Sequence, residues 1–87
     1  MRPDKKIKVL KNRIRENHKD YKAYIAIGDI YQQYGNFNGA IQAYQRALKI
    51  KPKDEINLNR LGEAFWRAKR YPEALGQFKK ALKVNPK

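Results

Sequence analysis

Apolar side chains recur along this chain at intervals of three and four residues, in five separate stretches. That spacing puts them on one face of a helix. Ile7, Leu10 and Ile14 form the first stripe and predict a helix over residues 4 to about 17. Pro3 stands at its start, where a missing N–H leaves no hydrogen bond unmade. Tyr24, Ile27, Gly28 and Tyr31 mark the inward face of a second helix, predicted over 22–34. Gly35-Asn36 follows, a pair that tolerates left-handed backbone angles and so supplies a turn. A third helix is expected over 38–50, terminated by Pro52. A fourth over 55–68, a turn around Lys69-Arg70 and a fifth over 72–84, opening on Pro72, complete a chain with no strand.

The pattern repeats with a shift of 34 residues. Gly28 pairs with Gly62, Ala40 with Ala74, Ala47 with Ala81, and Pro52 with Pro86. Among larger apolar groups, Ile27 pairs with Leu61, Tyr31 with Phe65, Tyr44 with Phe78 and Ile50 with Val84. A period of this length built from helical spacings is that of a helix–turn–helix repeat, whose stacked units form binding surfaces. Shifted likewise, the first stripe lands on Ile41, Tyr44 and Leu48, so the first helix corresponds to the second helix of a unit. Lys6 and Arg13 take the places of Ala40 and Ala47, where two helices of one unit would approach closely. Long charged side chains stay solvated if no companion helix packs there, and the expectation is a chain that begins at a half repeat. Gly28 and Gly62 each cost about 1 kcal/mol relative to Ala inside a helix, so close helix–helix approach should compensate.

The first unit reads Tyr24, Ile27-Gly28, Tyr31, Ala40, Tyr44, Pro52, and the second Leu58, Leu61-Gly62, Phe65, Ala74, Phe78, Pro86. Both resemble the tetratricopeptide repeat, W-x2-L-G-x2-Y followed by A-x3-F and P. Tyr24 and Leu58 stand where the family often has Trp, and Ile27 where it has Leu. The resemblance implies an all-α solenoid of about five antiparallel helices in a right-handed superhelix. Its organisation would be a half repeat over 1–20 and full repeats over 21–54 and 55–87. It also implies that the first helix of each pair lines a concave surface.

Residues off the packing stripe on those helices are the candidates for binding a peptide or helix. They are Lys22, Ile25, Asp29, Gln32 and Gln33 in the first unit, and Ile56, Asn59, Glu63, Trp66 and Arg67 in the second. Ile25 and Trp66 stand out as large apolar groups outside the stripe, and Trp is enriched at binding hot spots. Packing of Trp66 over the helix edge beside Phe65 is the alternative. Asp29 and Glu63 are equivalent positions and should line up along the groove, where they could pair a Lys or Arg of a ligand. A paired-carboxylate acid–base site would need a water-excluding pocket and tuned neighbours. Arg60 and Arg67, three and four residues from Glu63, instead suggest helix-surface ion pairing. The Lys, Asn and Arg set with which some relatives clamp a chaperone's C-terminal carboxylate is not reproduced. Ile25 and Asp29 stand where its first Lys and Asn would be, and Asn59 and Arg60 match fragments only.

Composition narrows the function. The chain has no Cys, Ser or Thr, which removes the usual nucleophiles, disulfides and thiolate metal sites. Its one His, His18, falls in a loop and cannot hold a metal alone. No enzyme activity and no cofactor are expected. The missing Ser and Thr leave open a designed or excised scaffold without a native partner. Neither a membrane span nor a signal peptide is present in the pattern, so a cytoplasmic address is expected.

The formal net charge of +13, from 21 Lys and Arg against 8 Asp and Glu, favours acidic partners or polyanions. Lys5, Lys8, Lys11, Arg15 and Lys19 lie mainly off the first stripe; Arg46, Lys49, Lys53, Lys79, Lys80, Lys83 and Lys87 recur on the outer helices and their ends. An RNA, DNA or acidic-protein binder is therefore the competing class. No recognisable nucleic-acid motif accompanies these cations, and stacking aromatics are not interleaved with them, which argues against nucleic acid. Leu75, Phe78 and Leu82 have the spacing of a face that a following helix would cover. An apolar patch there is expected to drive homodimer formation.

Overall fold

Each predicted stripe becomes a helix. The computed structural model describes residues 3–86, so Lys87 lies outside the described residues. Among these it contains five α-helices and no strand. They are α1 (Pro3–Glu16), α2 (Tyr21–Gln33), α3 (Phe37–Ile50), α4 (Glu55–Arg67) and α5 (Tyr71–Val84). Their bounds lie within one residue of the expected ones. α2 starts at Tyr21 because Asp20 caps it, its carboxylate accepting the Ala23 N–H at 3.1 Å. Asn36 caps α3 in the same way, accepting the Gly39 N–H at 3.0 Å. The two turns within the helix pairs need left-handed backbone: Gly35 has φ 82° and its equivalent Lys69 φ 63°.

Each helix packs on the next in the chain. The core is built from Ala40, Ile41 and Tyr44 of α3, Leu61, Ala64 and Phe65 of α4, and Ala74 of α5. Small residues let the paired helices close up. A Cβ on Gly28 would stand 2.5 Å from the Tyr44 ring, and one on Gly62 would stand 2.6 Å from the Phe78 ring. The two glycines thus seat the aromatic rings of equivalent positions, which is the compensation their helix cost requires.

Two expectations about apolar residues are corrected here. Ile25 is not outside the packing stripe: it is half-buried and packs against the core. Phe78 does the same, with its ring over Gly62, so it is not a freely exposed member of the α5 face. Asn57 of α4 is fully buried, donating from Nδ2 to the Tyr44 carbonyl at 3.1 Å. Its Oδ1 has no hydrogen-bond partner among the described residues.

α1 differs from the rest. None of its described side chains is buried, and Lys6 and Arg13 are exposed. Arg13 reaches across the first loop to Asp20 Oδ2 at 3.0 Å, tying α1 to the cap of α2. No described helix is long and apolar enough to cross a membrane.

Candidate functional site

α2 and α4 wall a polar groove of about 440 Å3, with Tyr44 of α3 contributing to its lining. Asp29, Gln32 and Gln33 line it from α2; Arg60, Glu63 and Arg67 line it from α4. Five of the residues expected from the sequence are thus brought together, and Tyr44 and Arg60 join them. Lys22, Ile25, Ile56, Asn59 and Trp66 do not line this groove. Ile56 and Trp66 are exposed, and Trp66 makes an edge contact with the Tyr71 ring at 4.8 Å between centroids. That contact is with the following helix and not with Phe65.

Asp29 is the hub of the groove. The Tyr44 hydroxyl donates to its Oδ1 at 2.5 Å, and the Arg60 guanidinium pairs with Oδ2. Burial, then the Asp29 carboxylate, hold the Tyr44 hydroxyl protonated well above its ordinary range. The expected pairing of Glu63 is met only by Arg67, at 3.2 Å, because Arg60 turns to Asp29 instead. Both carboxylates therefore carry a guanidinium partner of their own. A ligand Lys or Arg would have to compete with these arginines. The groove presents fixed charge of both signs, flanked by the amides of Gln32 and Gln33. Gln32 Oε1 is shielded from solvent and has no hydrogen-bond partner among the described residues.

Tyr44 and Arg60 were missed as groove residues for different reasons. Tyr44 belongs to the apolar stripe of α3, and its hydroxyl bonds Asp29 in the groove. Arg60 could have been found from the 31-residue separation of Asp29 and Arg60, three short of the repeat.

Comparison with known proteins agrees with the helical-repeat fold. Residues 28–69 match the family profile described as TPR repeat, and residues 56–87 the one described as tetratricopeptide repeat. The chain belongs to the tetratricopeptide repeat family. It is 34% identical over 77 residues to the peroxisomal targeting signal receptor of Candida glabrata, covering 88% of this chain and 13% of the receptor. Over 74 residues it is 31% identical to anaphase-promoting complex subunit 3 of Schizosaccharomyces pombe, covering 85% of this chain and 11% of that protein. A crystal structure of MamA superposes with a TM-score of 0.87 at 31% identity, covering 92% of this chain and 47% of MamA. The chain thus spans a small part of these curated relatives and about half of MamA.

Proposed function

We propose that this chain is a non-enzymatic protein-interaction module that holds a peptide segment or helix in the α2–α4 groove. The observation that carries the reading is the convergence of Asp29, Gln32, Gln33, Glu63 and Arg67 on one open groove. The names of the relatives, a receptor and a subunit of a complex, point the same way. The chain's units are a half repeat over 1–20 and full repeats over 21–54 and 55–87, and its address is cytoplasmic. With Asp29 and Glu63 already paired, the ligand favoured is one with backbone and polar side chains for the Gln amides, rather than a strongly cationic one. Selection of binders from a random peptide library, followed by chemical-shift mapping, tests it. Perturbations should centre on Gln32, Gln33, Glu63 and Arg67; perturbations confined to α1 or α5 would refute it.

A second association is proposed at α5. Leu75 and Leu82, two turns apart on one face of α5, are 54% and 57% exposed. By the 34-residue shift, Leu75 and Leu82 are the equivalents of Ile41 and Leu48, which lie between α3 and α4. A second copy of the chain meeting this face would bury it on both.

A further inference from the structure

The cationic surface holds a site of its own on the opposite flank of α2. Tyr24, Ile27 and Tyr31 point away from the Asp29 groove and line a second one, bordered by α1 and α3. It measures about 360 Å3, and an adjoining hollow of about 480 Å3 shares Tyr24, Gln42 and Arg46 with it. Both volumes fall in the range of about 300–1,000 Å3 usual for ligand sites. The borders carry Lys11 from α1 and Arg46 and Lys49 from α3, with His18 at one end. No Asp or Glu lines either hollow. Among the described residues, none of the ion pairs uses Lys11, Arg46 or Lys49. Cations and aromatics are separated along the sequence, but folding places Tyr24 and Tyr31 between cations that come from two other helices.

The repeat supplies an internal control. Shifted by 34, Tyr24, Ile27 and Tyr31 become Leu58, Leu61 and Phe65, which are only 3%, 2% and 3% exposed. Tyr24 and Tyr31 are half-buried, and Tyr31 packs part of its ring against the core. Gly39 in the groove corresponds to Glu73, so the carboxylate of the second unit is missing from the first. The first unit keeps the aromatic pattern of the repeat as two hydroxylated rings, where the second has Leu58 and Phe65, and lacks the second unit's acid in the same place.

We propose that this α1–α3 groove binds single-stranded nucleic acid. Phosphates are held by Lys11, Arg46 and Lys49, bases lie against Tyr24 and Tyr31, and the Gln42 and Gln45 amides meet base edges. An acidic peptide would use the cations but leaves the two rings and amides without a matching partner. A base offers each of them a π face or a polar edge. The site is separate from the peptide groove and does not depend on it.

Fluorescence anisotropy with labelled oligouridine of about 10 nucleotides, at low and physiological salt, tests this, with poly-glutamate of similar charge as competitor. The double variant Arg46→Glu/Lys49→Glu should lose more than about tenfold in affinity. Its salt dependence should flatten by about 0.7 for each lost phosphate contact. Lys79→Glu/Lys83→Glu changes net charge equally on α5 and should lose only a few-fold. Tyr24→Leu copies the residue of the second unit, which keeps the fold; it should weaken binding by about tenfold without altering the salt slope. Equal losses from both charge variants, or an unaffected Tyr24→Leu protein, would overturn the proposal. So would poly-glutamate binding as tightly as the oligonucleotide with the same dependence on Tyr24.

Discussion

Single residues in this fold are judged by the space and backbone angles they occupy. Gly28 and Gly62 face rings that a Cβ would meet at 2.5 and 2.6 Å. Alanine gains about 1 kcal/mol of helix propensity there, but overpacking costs about 1–3 kcal/mol. Gly28→Ala should therefore be neutral to destabilising by up to about 2 kcal/mol in urea denaturation. A gain of the full propensity value would mean that the Tyr44 ring is free to move. Lys69 presents the opposite case, a side chain held at φ 63° where the first unit has Gly35. A left-handed residue with a Cβ is strained by about 1–2 kcal/mol. Lys69→Gly should raise stability by about 1 kcal/mol, part of the relief being offset by added freedom of the unfolded chain. An unchanged or lower denaturation midpoint would contradict this account of the turn.

Elements are joined by a few polar contacts that the apolar stripes do not specify. α1 buries none of its described side chains, so its attachment leans on the Arg13–Asp20 contact as well as on the half-buried Ile7, Leu10 and Ile14. Asp20 also caps α2. Asp20→Ala removes both and should cost about 1–2 kcal/mol, mostly from the cap, since exposed ion pairs contribute little. Hydrogen exchange should then show faster opening of α1 and of the first turn of α2 than of α4. Uniform acceleration would mean that α1 is held by its apolar stripe alone. Asp54, the equivalent of Asp20, makes no such side-chain bond to α4. Helix starts alike in sequence are therefore secured differently.

At the scale of the molecule, the Tyr44–Asp29–Arg60 network links the core to the groove and makes stability depend on alkaline pH. The folded state holds the Tyr44 hydroxyl protonated above its ordinary value of 10.0, through burial first and Asp29 second. Its contribution is therefore complete below about pH 10 and falls as pH rises further, by up to about 1.4 kcal/mol per pH unit. Tyr44→Phe removes that dependence. Denaturation midpoints should favour the wild type or be nearly equal at about pH 9, and shift toward the variant by about pH 11. Parallel pH curves for the two proteins would show that Tyr44 does not titrate out of the fold. Self-association is also a property of the whole. The charge of +13 opposes contact between copies and is screened by salt, so dimers at α5 should grow with ionic strength. Sedimentation of wild type against Leu75→Glu/Leu82→Glu checks it, these two being exposed where Phe78 is not. A monomer at high concentration and moderate salt would remove the second association.

Helix number, order and bounds could be read from the residues because each depends on local rules. The three- and four-residue spacing of stripes such as Ile7, Leu10 and Ile14, the turns at Gly35 and Lys69, and the stops at prolines all act within a few positions. The 34-residue shift then exposed the helical-repeat class, since equivalent residues face equivalent neighbours. Where side chains end up between helices is another matter. Ile25 looked free and packs on the core; Phe78 looked exposed and covers Gly62; Arg60 passed over Glu63 on its own helix for Asp29 on another. Asn57 is buried at the position where the first unit has Ala23. Tyr24 and Tyr31 meet cations distant in sequence only because α1 and α3 flank α2. Periodicity assigns a residue to a face of its own helix, but the helix spacing and the volumes of side chains from other elements determine what that face meets.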